Sequence, residues 1–239
     1  MNTILKVAVV GICLMAPVMS SCCSCTISTK AHGYIQAKSL DLTAVLPPPP
    51  AKDSKQTSDE IKELLELQRS RTTAQEDSAR ADKDITVFRF RDVLGAPFDS
   101  ANLPITAAFF KAALENERVI IDPVKNFWNR PRPYVVDSSI HPCLEKPTIA
   151  SYPSGHSTAG NFMAILLAAM VPEKKNELFE RGWKFAFNRM IGGVHYRSDI
   201  EAGRIAATVI AVEFLKDRKF MCEYSKAKRE LRTALGYRN

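Results

Sequence analysis

Histidine is scarce in this chain: four occur among 239 residues, at His32, His141, His156 and His195, so chemistry that needs an imidazole has few addresses. Dense Lys/Arg tracts with interleaved aromatics are missing, although the formal net charge is +7. A nucleic-acid groove needs such a tract, so no nucleic acid is expected. The excess charge fits either a solvated basic surface or small anionic partners such as a phosphorylated molecule. Internal repeats are missing, and so are paired alternating strands with hairpin turns, which leaves helices to build the fold. Beyond the N-terminal segment no apolar run approaches the roughly 20 residues of a membrane span. That excludes an integral-membrane enzyme built on several spanning helices.

Cysteine is concentrated at one end. Of six, Cys13, Cys22, Cys23 and Cys25 lie at the N-terminus and only Cys143 and Cys222 in the body. Lys6 followed by the apolar run Val7 to Val18 and small residues reads as a secretory signal over residues 1–22. Met19-Ser20-Ser21-Cys22 also resembles a lipoprotein processing site, so two outcomes stay open. One is ordinary cleavage to a periplasmic or otherwise exported protein, and the other is membrane anchoring by a lipid on Cys22. In an exported chain Cys143 and Cys222 are either a disulfide or two separate thiols.

Residues 23–56 form a Pro-rich segment ending in Pro47 to Pro50, expected to be an extended strap or linker. Residues 57–239 read as one all-α domain, of a length that supports a real core. The pattern predicts a helix capped by Ser58 and running toward Ala81, and helix in preference to strand at Phe88 to Val93. Further helices are expected over Leu103 to Ile120, Glu173 to Arg189 and Ile205 to Leu215. Thr158 to Val171 is apolar nearly all round and should be a buried central helix stopped by Pro172.

Chemistry concentrates in three short segments. The first holds Lys125 and Arg132 with Arg130 between them, and Pro131 and Pro133 are expected to prevent helix and stiffen the display of Arg132. Arginine can donate two hydrogen bonds to one phosphate where lysine acts as a point charge. The second is Pro153-Ser154-Gly155-His156, at the start of the apolar helix. Helix N-termini carry unpaired N–H groups and a positive dipole end. Ser154 can cap there, and Gly155 lets an oxygen approach the backbone. The third runs from Asn188-Arg189 through Gly192-Gly193 to His195 and Asp199. The two glycines should end a helix, and Ser198 with Glu201 reads as the capping box of the next. An acid four residues after His195 can fix one ring nitrogen and leave the other as base or nucleophile. Each segment alone has a plainer reading: a basic loop, a Ser N-cap beside an incidental histidine, a helix-start Asp beside a surface histidine.

Together, Lys-x6-Arg-Pro, Pro-Ser-Gly-His and Arg-x5-His-x3-Asp resemble the signature of the phosphatidic-acid-phosphatase type 2 and vanadium-haloperoxidase superfamily. From Leu46 onward the chain is similar to the bacterial class A nonspecific acid phosphatases, above all over Ser151 to Ser157 and Arg181 to Asp199. One position departs: Asn188 stands where the family usually has Ser before the motif arginine. The resemblance implies a single helical domain of that superfamily and an acid phosphatase acting on small-molecule phosphate monoesters, with neither metal nor cofactor. It implies His195 as nucleophile, Asp199 as its orienting acid and His156 as general acid. Lys125, Arg132, Ser154, Gly155 and Arg189 would bind phosphate. Because His156 must start protonated and free imidazole has a pKa of about 6.5, a mildly acidic optimum is expected. Alternatives are a vanadate-dependent haloperoxidase-like enzyme, a lipid phosphate phosphatase, and a non-enzymatic phosphate- or polyanion-binding protein. A homo-oligomer is equally compatible with the sequence.

Overall fold

The computed structural model describes residues 34–35 and 40–238; the expected signal segment and Cys22 lie outside the described residues. Among the described residues ten α-helices follow in order: α1 Leu42–Val45, α2 Lys55–Ser70, α3 Thr73–Ala81, α4 Arg91–Leu94, α5 Pro104–Trp128, α6 Pro133–Val136, α7 Gly155–Met170, α8 Lys175–Ile191, α9 Arg197–Phe214 and α10 Arg218–Ala234. Short 3₁₀ turns precede α4 and α8. No strand occurs among the described residues, as the missing hairpins predicted.

Helix α7 is the axis of the molecule. Phe162, Met163, Leu166, Leu167 and Met170 have no solvent exposure, and burying each such side chain stabilises the fold by roughly 1.5–3 kcal/mol. It packs between α8 and α9, while α5 pairs with α10, and α2 and α3 pack against α8. Phe162, Phe214, Phe220, Phe109 and Tyr224 form a chain of tilted and edge-on rings that joins α7, α9, α10 and α5. Leu42 and Leu46 are buried in the same core, and the Tyr152 hydroxyl donates to the Pro47 carbonyl. The described part of the Pro-rich segment from residue 40 to 50 thus packs on the domain, with a helical turn at Leu42–Val45.

Several element boundaries differ from the sequence reading. Helix α2 begins a turn earlier, with Ser54 rather than Ser58 as its cap: Ser54 Oγ accepts from the Thr57 N–H at 3.2 Å. The expected single helix to Ala81 is two. Arg71 is extended and Thr72 starts α3 with a capping box, its N–H donating to Gln75 Oε1 at 2.8 Å and its Oγ1 accepting from the Gln75 N–H at 3.3 Å. Arg71 is drawn away by tertiary bonds to the carbonyls of His141 and Ile191, both at 3.1 Å. Helix α5 runs through Pro123. The proline does not end the helix, and the two residues after it, Val124 and Lys125, are buried, so Lys125 stands in the last turn of a helix and not in a loop. Pro133, expected to prevent helix, opens α6 at N1, where proline costs nothing. Cys143 and Cys222 are not joined to each other.

The approach of α9 to the start of α7 fixes the site. Ser157 Oγ donates to the Ile200 carbonyl at 2.6 Å, and the Ser154 N–H to the Asp199 carbonyl at 3.0 Å. A Cβ on Gly203 would lie 2.7 Å from both the Ser154 carbonyl oxygen and Ser157 Cβ. Alanine gains about 1 kcal/mol of helix propensity over glycine, whereas overpacking against backbone costs about 1–3 kcal/mol. Gly203→Ala is expected to destabilise the protein by a net of up to about 2 kcal/mol, read as a lower urea midpoint at unchanged slope.

Candidate active site

Lys125, Arg132, Gly155, His156, Arg189 and His195 line one cavity of about 720 Å³. They come from the end of α5, the loop before α6, the start of α7, the end of α8 and the turn before α9. That turn needs glycine: Gly193 has φ 72°, a left-handed conformation. It ends α8 and swings His195 back over the cavity.

Asp199 sits at the third position of α9 and is completely buried. Its Oδ2 accepts from His195 Nδ1 at 3.0 Å, Ser151 Oγ at 2.5 Å and the Tyr196 N–H at 3.0 Å, and its Oδ1 from Arg130 Nη1 at 2.8 Å. The bond back to Tyr196 also caps α9, in place of the expected Ser198–Glu201 box. Burial alone would raise the carboxyl pKa, but the bonds from His195 and Ser151 and the Arg130 charge hold it well below the usual carboxylate range. An ionised Asp199 obliges His195 to carry its proton on Nδ1. Burial and the Arg132 charge outweigh the pull of Asp199 and keep the ring neutral. His195 Nε2 is then a bare lone pair, and it accepts from Arg132 Nη1 at 2.9 Å.

The three cations are buried together but occupied differently. Lys125 Nζ donates to the carbonyls of Pro153 at 2.5 Å and Ala150 at 3.2 Å. Burial, then the nearby Arg132 charge, lowers its pKa to about 7. Arg132 donates to the Ile149, Val194 and Ala150 carbonyls at 2.9, 2.8 and 3.2 Å besides His195. Arg189 is only 3% exposed, yet its Nε and Nη1 have no hydrogen-bond partner. Burial first, and then Arg132, lower its pKa to about 10. A buried guanidinium that leaves donors unmade on a cavity wall is costly unless an anion takes them.

Helix α7 opens on the same cavity. Ser154 serves differently from expectation: it is fully buried, its Oγ capping the helix by accepting from the Ser157 N–H at 3.3 Å, and it does not line the cavity. Gly155 does. A Cβ there would meet only Lys125 Cε, at an ordinary 3.7 Å. Packing thus does not require glycine, and the open backbone serves whatever approaches it from the cavity. His156 stacks on Phe185 with ring centroids 6.0 Å apart, and its Nε2 donates to the Lys83 carbonyl at 2.9 Å, which leaves Nδ1 for the cavity. Burial, and next the Arg189 charge, push its pKa down to about 3. The sequence-based optimum assumed a free imidazole. In the site His156 is neutral at mildly acidic pH, because it is buried and three cations converge on it.

Arg130 is the residue the sequence reading left without a role. It does not face the cavity. Its guanidinium lies 3.9 Å over the Tyr196 ring and bridges Asp199 to Glu60 Oε2 at 2.9 Å, and Glu60 Oε1 accepts from the Ser198 N–H at 2.7 Å. Glu60 stands on α2, 70 residues from Arg130, and no local pattern pairs them. Ser151 could have been found, lying in the same short stretch as Ser154. Asn188, the departure from the family pattern, donates to Asp82 Oδ2 at 2.7 Å and Ser78 Oγ at 3.1 Å. It ties α8 to α3 through an aspartate that also holds Arg181 and Arg89. Its neighbour Arg189 keeps its place in the cavity.

Residues 105–220 match the family model described as the PAP2 superfamily, a stretch that holds Lys125, Arg132, Gly155, His156, Arg189, His195 and Asp199. The chain carries a PAP2 superfamily domain. It is 29% identical over 203 residues to a non-specific acid phosphatase of Salmonella typhimurium, 81% of each chain being covered. Against a non-specific acid phosphatase of Providencia stuartii it is 27% identical, over 85% of this chain and 87% of the relative. An acid phosphatase of Zymomonas mobilis is 37% identical over 59% of this chain and 54% of its own, so the match spans about half of that relative. The crystal structure of a bacterial vanadium-dependent iodoperoxidase shares the fold, at a TM-score of 0.57 and 20% identity, covering 72% of this chain and 52% of that one. Among the described residues of the PAP2 domain and its flanks, no three His, Cys, Asp or Glu side chains gather to hold a metal, and no helix is long and apolar enough to cross a membrane.

Removing Arg130 strands two buried carboxylates. Arg130→Met is expected to destabilise the protein by about 3–5 kcal/mol, the cost of breaking a buried ion pair from one side. Arg130→Lys should recover only part, because one ammonium cannot fork between Glu60 and Asp199. Urea unfolding of the three proteins measures both effects.

Proposed function

We propose that this chain is an exported acid phosphatase that hydrolyses phosphate monoesters through a phosphohistidine on His195, with side-chain cations rather than a metal ion neutralising the phosphoryl group. The observation that carries the reading is His195, braced through Nδ1 by Asp199 so that Nε2 is left as an acceptor, in one cavity with the unpartnered donors of Arg189. The names of the Salmonella, Providencia and Zymomonas relatives support the same activity.

The substrate phosphoryl group sits between Arg189, Lys125 and the N–H groups at the start of α7, which have no intrahelical acceptors. A phosphoryl oxygen entering beside Arg132 takes the Nη1 donor now aimed at His195, and this frees Nε2. An ester monoanion first passes its proton to His156 Nδ1; Nε2 of His195 then attacks phosphorus, the P–O bond to the alcohol breaks, and the departing oxygen takes that proton from His156. The charge that builds on the equatorial oxygens is met by the three cations, which are already in place. Water then gives a proton to His156 and attacks phosphorus. The P–N bond breaks, its electron pair returns to Nε2, and phosphate leaves. A domain that only binds phosphate would gain nothing from a base fixed in one tautomer beside a second histidine. Vanadate has the same tetrahedral oxygens, so the same cations would hold it, and it should compete with substrate. Residues 1–22 are proposed as the export signal, with cleavage or lipidation at Cys22 to be read from the mass of the mature N-terminus.

Hydrolysis of p-nitrophenyl phosphate should persist in excess chelator and fall by about 10³-fold or more in His195→Ala. In His156→Ala it should fall by about 10²–10⁴-fold for an alkyl ester, and by less for p-nitrophenyl phosphate, whose phenolate leaves without help. For the pH dependence, Lys125 is charged below about 7 and a phosphate ester holds its second proton below about 6. Raising the pH removes both, so kcat/KM should fall above about pH 6–7. A profile that climbs through pH 9 would overturn the assignment.

A further inference from the structure

The cavity extends well beyond the cationic end. Val87, Phe88, Phe110, Leu114 and Ile121 form an apolar flank, and Glu117 interrupts it. Glu117 is 4% exposed, and its Oε1 has no hydrogen-bond partner. It lies on α5 eight residues before Lys125, which at 1.5 Å per residue sets it about 12 Å from Lys125 along the helix. Both residues face the same cavity. Exposed Lys111, Glu115 and Arg118 stand at the rim, so charged groups outside are answered there and Glu117 is not among them. Nothing in the phosphoryl-transfer steps uses it, and an unpartnered buried carboxyl costs stability that a plain core residue would not.

We propose that Glu117 and this apolar flank form the subsite for the alcohol half of the substrate, selecting phosphate monoesters of an aryl-sized apolar alcohol that ends in an uncharged hydrogen-bonding group. The inference rests on the phosphatase reading above and adds the substrate class. The span fits one ring between the phosphoryl oxygen and a polar substituent. Burial, and next the Asp122 charge, raise the Glu117 pKa to about 8, so below that pH the carboxyl is neutral and can both donate and accept. A neutral amide or carbonyl terminus satisfies it. A carboxylate terminus must be stripped of water, while the two cations whose charge reaches Glu117 are the distant Lys125 and Arg118, which stands at the rim and is paired with Asp122; an alkyl terminus leaves Oε1 as it is.

The test is kcat/KM at pH 6 for phenyl phosphate and its para-carboxamide, para-carboxylate and para-trimethylammonium derivatives. The enzymes are wild type, Glu117→Gln and Glu117→Leu. Comparing ratios between enzymes cancels the differing reactivity of the leaving groups. Wild type should favour carboxamide over carboxylate by about tenfold or more. Glu117→Leu should lose about tenfold of the carboxamide-to-phenyl ratio, through KM, and keep phenyl phosphate within about threefold. Glu117→Gln, neutral and able to donate, should hold the carboxamide ratio within about threefold of wild type. An unchanged ratio in Glu117→Leu overturns the proposal. So does a preference for the trimethylammonium ester, which would mean an ionised Glu117. If Glu117→Leu does not fold, the wild-type order of substituents and the Glu117→Gln ratio decide alone. Intact phenyl phosphate turnover with flat substituent ratios sinks this subsite and leaves the phosphatase reading standing, whereas no turnover of any ester sinks both.

Discussion

The buried carboxylate of Asp199 is the constraint around which the site is assembled. An ion that deep survives only when donors replace its lost water, and those donors arrive from four places: His195, Ser151, the Tyr196 backbone and Arg130. Its own backbone carbonyl takes the N–H of Ser154, so one residue touches all three motif segments. The alternation then continues outward, from Asp199 to Arg130 to Glu60 and the start of α9. Charges that would each be expensive alone are made tolerable by alternating in sign, and helix α2 is locked to the site through the same contacts.

The cavity follows the opposite rule. Lys125, Arg132 and Arg189 are buried near one another without matched carboxylates, and the lowered pKa values of Lys125 and Arg189 record the tension. Carbonyl oxygens relieve it for Lys125 and Arg132. Arg189 has no such relief at Nε and Nη1. Stability is given up there, as preorganised sites commonly require, and an anion bound in the proposed way would offset it. Asn188 shows how the position is kept without a carboxylate at the cavity: the balancing acid, Asp82, is held one layer behind by Asn188, Arg181 and Arg89.

What could be read from the sequence was what neighbours in the chain decide. The apolar run of α7, the glycines that end α8, and the four-residue spacing of His195 and Asp199 are local patterns, and the fold keeps each of them. Boundaries went astray where distant contacts compete with local propensity. Arg71 leaves the helix for carbonyls some 70 and 120 residues away, and α5 continues past Pro123 far enough to bury Val124 and Lys125. Ser154 was placed correctly at the head of α7, but its hydroxyl serves the cap and not the cavity. The Arg130–Glu60 bridge and the lone carboxyl of Glu117 had no signal at all, since partners and neglect alike are properties of the packed molecule.

The depressed pKa of His156 links binding and acid catalysis in the proposed reaction. Burial first, and then the charges of Arg189, Lys125 and Arg132, hold it down at about 3, and in the proposed reaction those same charges hold the phosphoryl group. Before binding they repel a proton from His156. Once a phosphate dianion lies among them, their field at His156 is largely cancelled and the ring's proton affinity rises. An ester monoanion near pH 6 brings a proton with its phosphate, and that proton can pass to Nδ1 as the dianion forms against the cations. The acid is then charged only when there is a leaving group to receive its proton. The acidic preference belongs to the enzyme and substrate together, and the imidazole's solution pKa is a poor guide to it.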